Sequence, residues 1–255
     1  MPAIKNAFVI FLFKKTLNSL VFMLLDEHIE ALLLKYIKPK SVVSFGTGPT
    51  NENFVKKLGL FNSENNLEVR VVPTSHKLGL LCSEMNLKIA SIDDAEIDLA
   101  FDFVDQVDED FNYISNETTS LIRDKMIAQS AAEMVVVVEE KGFVPQMKFD
   151  FRVEVSSFAF KKTMYQLMNL GEAKPWEENG KMVQSETGHY FVDISADAIY
   201  SIDDLDYQAK KIPGILETSL FIGFADRVLV HGSTITMKSR LTNTEESEEM
   251  AEKIQ

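Results

Sequence analysis

The sequence predicts an α/β protein: a doubly wound, mostly parallel sheet followed by a smaller α+β module. Between residues 26 and 140, helically spaced segments alternate with β-branched runs in the order α-β-α-β-α-β-α-β, joined by short links. The run MVVVVEE (134–140) is apolar without alternation, as expected of a strand covered on both faces. From residue 148 the pattern changes to half-buried strands such as FDFRVEV (149–155), interleaved with amphipathic helices.

Asp26 to Tyr36 carries Ile29, Leu32, Leu33 and Tyr36 at helical spacing and stops before Pro39. SVVSF (41–45) is a strand, and Gly46-Thr47-Gly48-Pro49-Thr50 turns it into a helix over Asn51–Leu58. Strand, glycine turn and helix together offer backbone N–H groups and a positive helix end to a phosphate. LEVRVVP (67–73) is the next strand, Thr74-Ser75 opens a helix through Met85, and Leu87–Ile89 adds a short strand.

Ile97–Phe101 reads as a buried strand, with Asp102, Asp105, Asp108, Glu109 and Asp110 following it. A polar turn, Ser115–Thr118, leads to a helix whose apolar stripe is Leu121, Ile122, Met126 and Ile127, with Asp124 on an exposed position. Acidic residues after a strand are by composition a solvated loop. A strand end, a carboxylate cluster and a helix start are also where an open α/β sheet places its chemistry.

In the second half, Phe158–Leu170 and Asp203–Lys211 read as helices, and HYFVDIS (189–195) and ILETSLF (215–221) as strands. If residues 172–184 supply one more strand, the order is β-α-β-β-α-β, a split βαβ module. RVLVHGS and TITMKS (227–239) form a hairpin returning to the first sheet, and Trp176 is read as a loop anchor in a polar linker.

The formal charge of −13, from 39 acidic and 26 basic side chains, argues against a nucleic-acid or anionic-membrane binder. A small anionic ligand needs only a local cradle. Lys14 and Lys15 split the apolar N-terminal stretches, each shorter than the roughly 18–20 residues of a membrane span, so a cytoplasmic protein without a membrane partner is expected. Met23 offers an alternative start that leaves residues 1–22 as an N-terminal extension, and 241–255 reads as an acidic disordered tail. The single cysteine, Cys82, sits in an apolar run and is expected to be buried and inert. His28, His76, His189 and His231 show no metal-ligand spacing, and Ser75 lacks a nucleophile-elbow context.

Taken together, five segments resemble the type A ribose-5-phosphate isomerases over residues 26–239. GTGPT (46–50) stands where the family has GTGST, VPTS (72–75) resembles the strand and turn before its second helix, and DFVDQVD (102–108) stands for DGADEVD. TTSLIRDKMIA (118–128) is similar to a GALLREKMIA-like segment, and IPGILETSLFIGFADRVLVHG (212–232) to IPGVVETGLF and ADxVLIG. The resemblance implies a Rossmann-like domain (23–147 with 222–240) carrying an inserted ferredoxin-like domain (148–221). It also implies interconversion of ribose 5-phosphate and ribulose 5-phosphate, no metal or organic cofactor, and a homodimer or homotetramer.

That chemistry moves a proton between adjacent carbons through an enediolate, so it needs a carboxylate base, a second acid–base group and donors for the oxyanion. A cradle for the remote phosphate supplies binding energy. Carried over position by position, the resemblance makes Asp124 the base, standing for a glutamate one methylene longer, and Asp102 and Asp105 the partners of the sugar oxygens. Phe103 and Val104 replace a glycine and an alanine between them. Thr47, Gly48, Pro49 and Thr50 form the phosphate turn, in which Pro49 replaces a serine and lacks an N–H. Ser115, Asn116, Glu117 and Thr118 stand for KGGG, so that no lysine occupies position 115, and Lys141 stands for a substrate-binding lysine. The competing expectation is a catalytically impaired homologue that binds sugar phosphates or a partner. Acyl-CoA transfer would need a glutamate nucleophile and glycine-rich turns that the chain lacks.

Overall fold

The computed structural model describes residues 33–196 and 201–240. The expected N-terminal extension (1–22), most of the Asp26–Tyr36 helix and the acidic tail lie outside the described residues. The chain divides into two compact units after Ile37. In the first, residues 33–36 are helical and the Ile37 N–H donates to the Leu34 carbonyl. Among the described residues no helix is long and apolar enough to cross a membrane.

The second unit begins with the main sheet. Its strands are β1 (Val42–Phe45), β2 (Arg70–Pro73), β3 (Lys88–Ile89), β4 (Leu99–Phe103), β7 (Met134–Glu139), β15 (Arg227–His231) and β16 (Ile235–Ser239). They lie in the order β16-β15-β7-β4-β1-β2-β3. All pairings are parallel except β15–β16, the expected hairpin, which joins the sheet through β7. Three helices cross over between strands: α1 (Pro49–Asn65), α2 (His76–Glu84) and α3 (Leu121–Ser130). Val135, Val136, Val137 and Val138 of β7 are all buried, as the uninterrupted apolar run requires. The chain winds from β1 toward β2 and β3, then restarts on the other side with β4. The crevice where winding reverses, at the carboxyl ends of β1 and β4, is where such sheets bind ligands.

A second, antiparallel sheet has the order β13-β8-β12-β9, from β8 (Asp150–Val155), β9 (Gly171–Pro175), β12 (Tyr190–Ala196) and β13 (Ile215–Thr218). Helix α4 (Phe160–Leu167) lies between β8 and β9 in sequence, and α5 (Ile202–Lys210) between β12 and β13. Residues 171–175 thus supply the extra strand that completes β-α-β-β-α-β. Phe151, Val153, Val155, Val192 and Ile194 pack with Leu167, Leu205 and Ala209 of the helices. Arg152, Glu154, Phe191 and Asp193 alternate with them and point to the opposite face.

Two sequence readings need correction here. ILETSLF is two strands, because β13 ends at Thr218 and β14 (Leu220–Phe221) pairs instead with β6 (Tyr113–Ile114), which pairs with β5 (Gln106–Val107). Trp176 is no loop anchor: it precedes the hairpin β10–β11 (Glu177–Glu178 and Lys181–Met182) and packs its ring against Phe191 at 5.5 Å.

Candidate active site

Three backbone segments meet at the carboxyl ends of β1 and β4. The first is Gly46-Thr47-Gly48, held at its start by the Gly46 N–H donating to the Phe101 carbonyl at 2.8 Å. A Cβ at Gly46 would lie 2.0 Å from Asp102 Oδ1, so only glycine lets the aspartate fold over the turn. Gly48 caps α1 at φ 142 and ψ 165, a conformation essentially restricted to glycine. Pro49 occupies the first helical turn, where its missing N–H costs nothing to the helix.

The second segment is β4 and its extension. Asp102 is the fourth residue of the strand rather than a loop residue beyond it, and it is 2% exposed. Asn51 of α1 donates through Nδ2 to its Oδ1 at 3.0 Å, and the Ser115 hydroxyl donates to the same carboxyl. Burial, then the nearby Asp124 charge, pushes the Asp102 carboxyl well above the ordinary carboxylate range, which favours its neutral form. Phe103 and Val104 do not fill the space between the aspartates. Phe103 packs its ring against Phe54 at 5.9 Å, and Val104 packs against the main core. Asp105 accepts the Asn116 N–H at 2.7 Å; burial raises its carboxyl, and that N–H and the Arg152 charge draw it partly back.

The third segment is the turn 115–120 and helix α3. The helix turns only part of the expected stripe inward: Leu121 and Ile127 are buried and Met126 is exposed, whereas Asp124 and Lys125 are buried together with Ala128. Asp124 accepts the Thr47 N–H (3.3 Å), the Thr47 hydroxyl (3.0 Å) and the Thr118 hydroxyl (2.5 Å). Thr74 joins the group through its hydroxyl, 2.9 Å from that of Thr47, and the Ser120 hydroxyl donates to the Thr74 carbonyl at 2.8 Å. Burial raises the Asp124 carboxyl to about 6, against the opposing pull of these donors. Two carboxyls whose surroundings push them to different extents can divide acid and base work.

The other expected residues are placed unequally. Glu117 lies over the glycine turn, its Oε2 3.5 Å from where a Gly48 Cβ would stand; burial and Asp105 both raise its carboxyl. Thr50 is half-buried on the first turn of α1. Lys141 is not brought to the cluster: its ammonium is exposed and pairs with Glu139 at 2.5 Å. Cys82 is fully buried, and burial raises its thiol to about 11. Among the described residues no three histidine, cysteine, aspartate or glutamate side chains are arranged to hold a metal ion.

The profile of the ribose 5-phosphate isomerase A (phosphoriboisomerase A) family matches residues 70–234. The chain belongs to this family. The ribose-5-phosphate isomerase A of Methanothermobacter thermautotrophicus is 30% identical over 213 residues, covering 82% of this chain and 94% of that protein. A solved D-ribose-5-phosphate isomerase in complex with phospho-erythronic acid superposes with a TM-score of 0.78 at 28% identity, covering 85% of this chain and 98% of that one. The enzyme from Methanocaldococcus jannaschii gives 0.77 at 26% identity, with the same coverage. The α/β architecture, a mostly parallel sheet with a ferredoxin-like partner sheet, is therefore that of the ribose 5-phosphate isomerase A family.

Sequence reasoning missed four residues of this site. Thr74 is expected only as a turn residue and Ser120 is given no role, yet Thr74 shares a hydroxyl contact with Thr47 and Ser120 donates to the Thr74 carbonyl. Asn51 was read as a plain helix residue, although a polar side chain on the first turn after a glycine loop points into the crevice. Arg152 was hidden in an alternating strand, and its neighbours come from segments far along the chain.

Proposed function

We propose that this protein is an aldose–ketose isomerase interconverting ribose 5-phosphate and ribulose 5-phosphate. The observation that supports this most directly is the convergence of Asp102, Asp105 and Asp124 beside the Gly46–Thr50 turn. In this reading Asp124 is the base. With its carboxyl near 6 it is ionised at neutral pH and still basic enough to remove a proton α to a carbonyl. Asp102, whose burial favours the protonated carboxyl, donates a hydrogen bond from that proton to a sugar oxygen as the enediolate forms. Asp105 orients the hydroxyl on the neighbouring carbon. The N–H groups of the turn and of the first turn of α1 face the phosphate, with Thr47, Gly48, Pro49 and Thr50 forming the wall of that cradle. Ser115, Asn116, Glu117 and Thr118 border the reacting carbons, and Lys141 stays at the rim.

Family membership supports three further readings: a homodimer or homotetramer, a cytoplasmic location, and two domains divided as 23–147 with 222–240 and 148–221. The decisive experiment follows ribulose 5-phosphate formation from ribose 5-phosphate by the purified protein, with Asp124→Asn alongside. Turnover lost in the variant supports the assignment. A parent protein that is inert, yet thermally stabilised by phospho-erythronate, would replace an isomerase with a sugar-phosphate binder.

A further inference from the structure

Arg152 comes to the site from the antiparallel sheet, on the face of β8 turned away from α4 and α5. It is 8% exposed. Its Nε donates to Asp193 at 2.7 Å, its Nη1 donates to the Asn116 carbonyl, and its guanidinium lies 3.4 Å over the Trp176 ring. Its backbone is tied to Ser219 in both directions at 2.8 Å. Ser219 in turn donates its hydroxyl to Asn116 Oδ1 at 2.6 Å, and Asn116 Nδ2 donates to the Asp150 carbonyl at 3.0 Å. Asn116 is therefore held on its side chain and its carbonyl by β8 and Ser219, while its N–H is committed to Asp105.

We infer that Arg152 is a positioning residue of the site: it fixes the Ser115–Glu117 turn and supplies the positive charge that faces Asp105. The turn carries a serine at 115 and a glutamate at 117, so its own sequence adds no cation to a cluster of aspartates. The chemistry of the side chain suits the task. A planar guanidinium can stack on an indole and still direct separate N–H groups at a carboxylate and a carbonyl, which an ammonium cannot do with one fixed geometry. Its counterion is unevenly placed. The Asp193 side chain is 48% exposed, so water screens that charge, whereas the guanidinium side chain is 10% exposed and acts through buried surroundings.

The charged groups around Asp105 are Asp102 on β4, Glu117 on the turn and Arg152 on β8, and Arg152 is itself paired with Asp193 on β12. Lys174 stands opposite Asp193 on β9, and Glu140 and Lys141 lie on the short 3₁₀ turn that packs against the Asp105 carbonyl. Of these, Arg152 is the cation that lowers the Asp105 carboxyl.

The consequence for turnover rests on the isomerase reading; the consequence for Asp105 does not. The test therefore has two readouts on the parent protein, Arg152→Gln and Arg152→Lys: the pH dependence of kcat and KM with ribose 5-phosphate, and the titration of Asp105 by carboxyl ¹³C NMR. With Arg152→Gln, Asp105 should titrate at higher pH, and kcat should fall about 10–100-fold, more than KM changes. Arg152→Lys should restore the Asp105 titration in part, because the charge returns without the fork. An Asp105 titration unmoved in Arg152→Gln overturns the inference. If that variant fails to fold, Arg152→Lys decides it: one ammonium cannot hold Asp193, the Asn116 carbonyl and the Trp176 face together, so Asp105 should titrate at somewhat higher pH, and an unmoved titration overturns the inference. An inert parent protein would sink the isomerase reading alone, since the NMR titration still decides the role of Arg152.

Discussion

Asp124 of α3 accepts both the backbone N–H and the hydroxyl of Thr47, at 3.3 and 3.0 Å, across 77 residues of sequence. This pair couples the proposed base to the glycine turn, so anything that moves the turn also moves the carboxylate.

The first prediction concerns pH. The Asp124 carboxyl lies near 6 in the fold against an ordinary 3.8, a shift worth roughly 3 kcal/mol. The sign is that of a raised acid: its contribution to stability is complete below about pH 4 and is lost as pH rises through about 6. The catalytically useful ionised form appears over the same interval. Thus kcat/KM should rise through about pH 6 while the melting temperature falls. Asp124→Asn should lower turnover by about 10²–10⁴ and gain roughly 1–3 kcal/mol at pH 8, where the parent carries the buried anion. Parallel curves of melting temperature against pH for the two proteins would refute the assignment of that titration to Asp124.

Thr47→Val removes one donor to Asp124 and leaves the backbone N–H. Since that hydroxyl helps lower the carboxyl, its loss should move the acid limb of kcat/KM to higher pH. Profiles of the two proteins measured side by side decide it. An unshifted limb would mean that the Thr118 hydroxyl and the backbone N–H suffice.

Gly46→Ala places a methyl group 2.0 Å from Asp102 Oδ1. The expected loss is about 1–3 kcal/mol by urea denaturation. In an Asp102→Ala background the same substitution should cost far less, because the clashing carboxyl is gone, while turnover stays lost. Equal costs in both backgrounds would place the strain in the backbone instead.

The parts of this site legible in the sequence were those with local signals. The glycine turn announces itself between a β-branched strand and a helix, and Asp102 and Asp105 follow an apolar run. The burial of Asp124 was not legible, because periodicity counts charged residues as solvent-facing. Helix α3 instead turns that charge toward hydroxyls on Thr47, Thr74 and Thr118, a choice made by partners outside the helix. Lys125 is buried for the same reason, with Glu217 as the partner. Arg152 alternated onto the polar face of its strand, but Trp176 and the 115–117 turn cover that face.

Glu117 holds its carboxylate over Gly48, where a substrate phosphate would lie under the proposed function. Glu117→Gln should therefore lower KM for ribose 5-phosphate by about 3–10-fold, with less effect on kcat, and the gain should shrink at high salt. Because burial and Asp105 raise the Glu117 carboxyl, lowering the pH should protonate it in the parent and narrow the difference. A KM unchanged by the substitution would place the phosphate elsewhere.

Lys125 follows the proposed base in sequence and anchors α3 to the antiparallel sheet. Its ammonium donates to Glu217 Oε1 at 2.7 Å, lies 3.8 Å from Asp206 and sits 5.2 Å from the Phe221 ring centroid. Burial lowers its pKa, and Glu217 and Asp206 oppose that. Lys125→Met keeps the stem packed and removes the charge. Breaking a buried pair commonly costs about 3–5 kcal/mol. Here Lys210 remains 2.8 Å from Glu217 and 3.1 Å from Asp206, so a smaller loss of about 1–3 kcal/mol is expected. The Lys125→Met, Lys210→Met pair should then cost more than the sum of the two single variants, since each lysine covers for the other. Strict additivity in chemical denaturation would show that the two cations act on Glu217 independently.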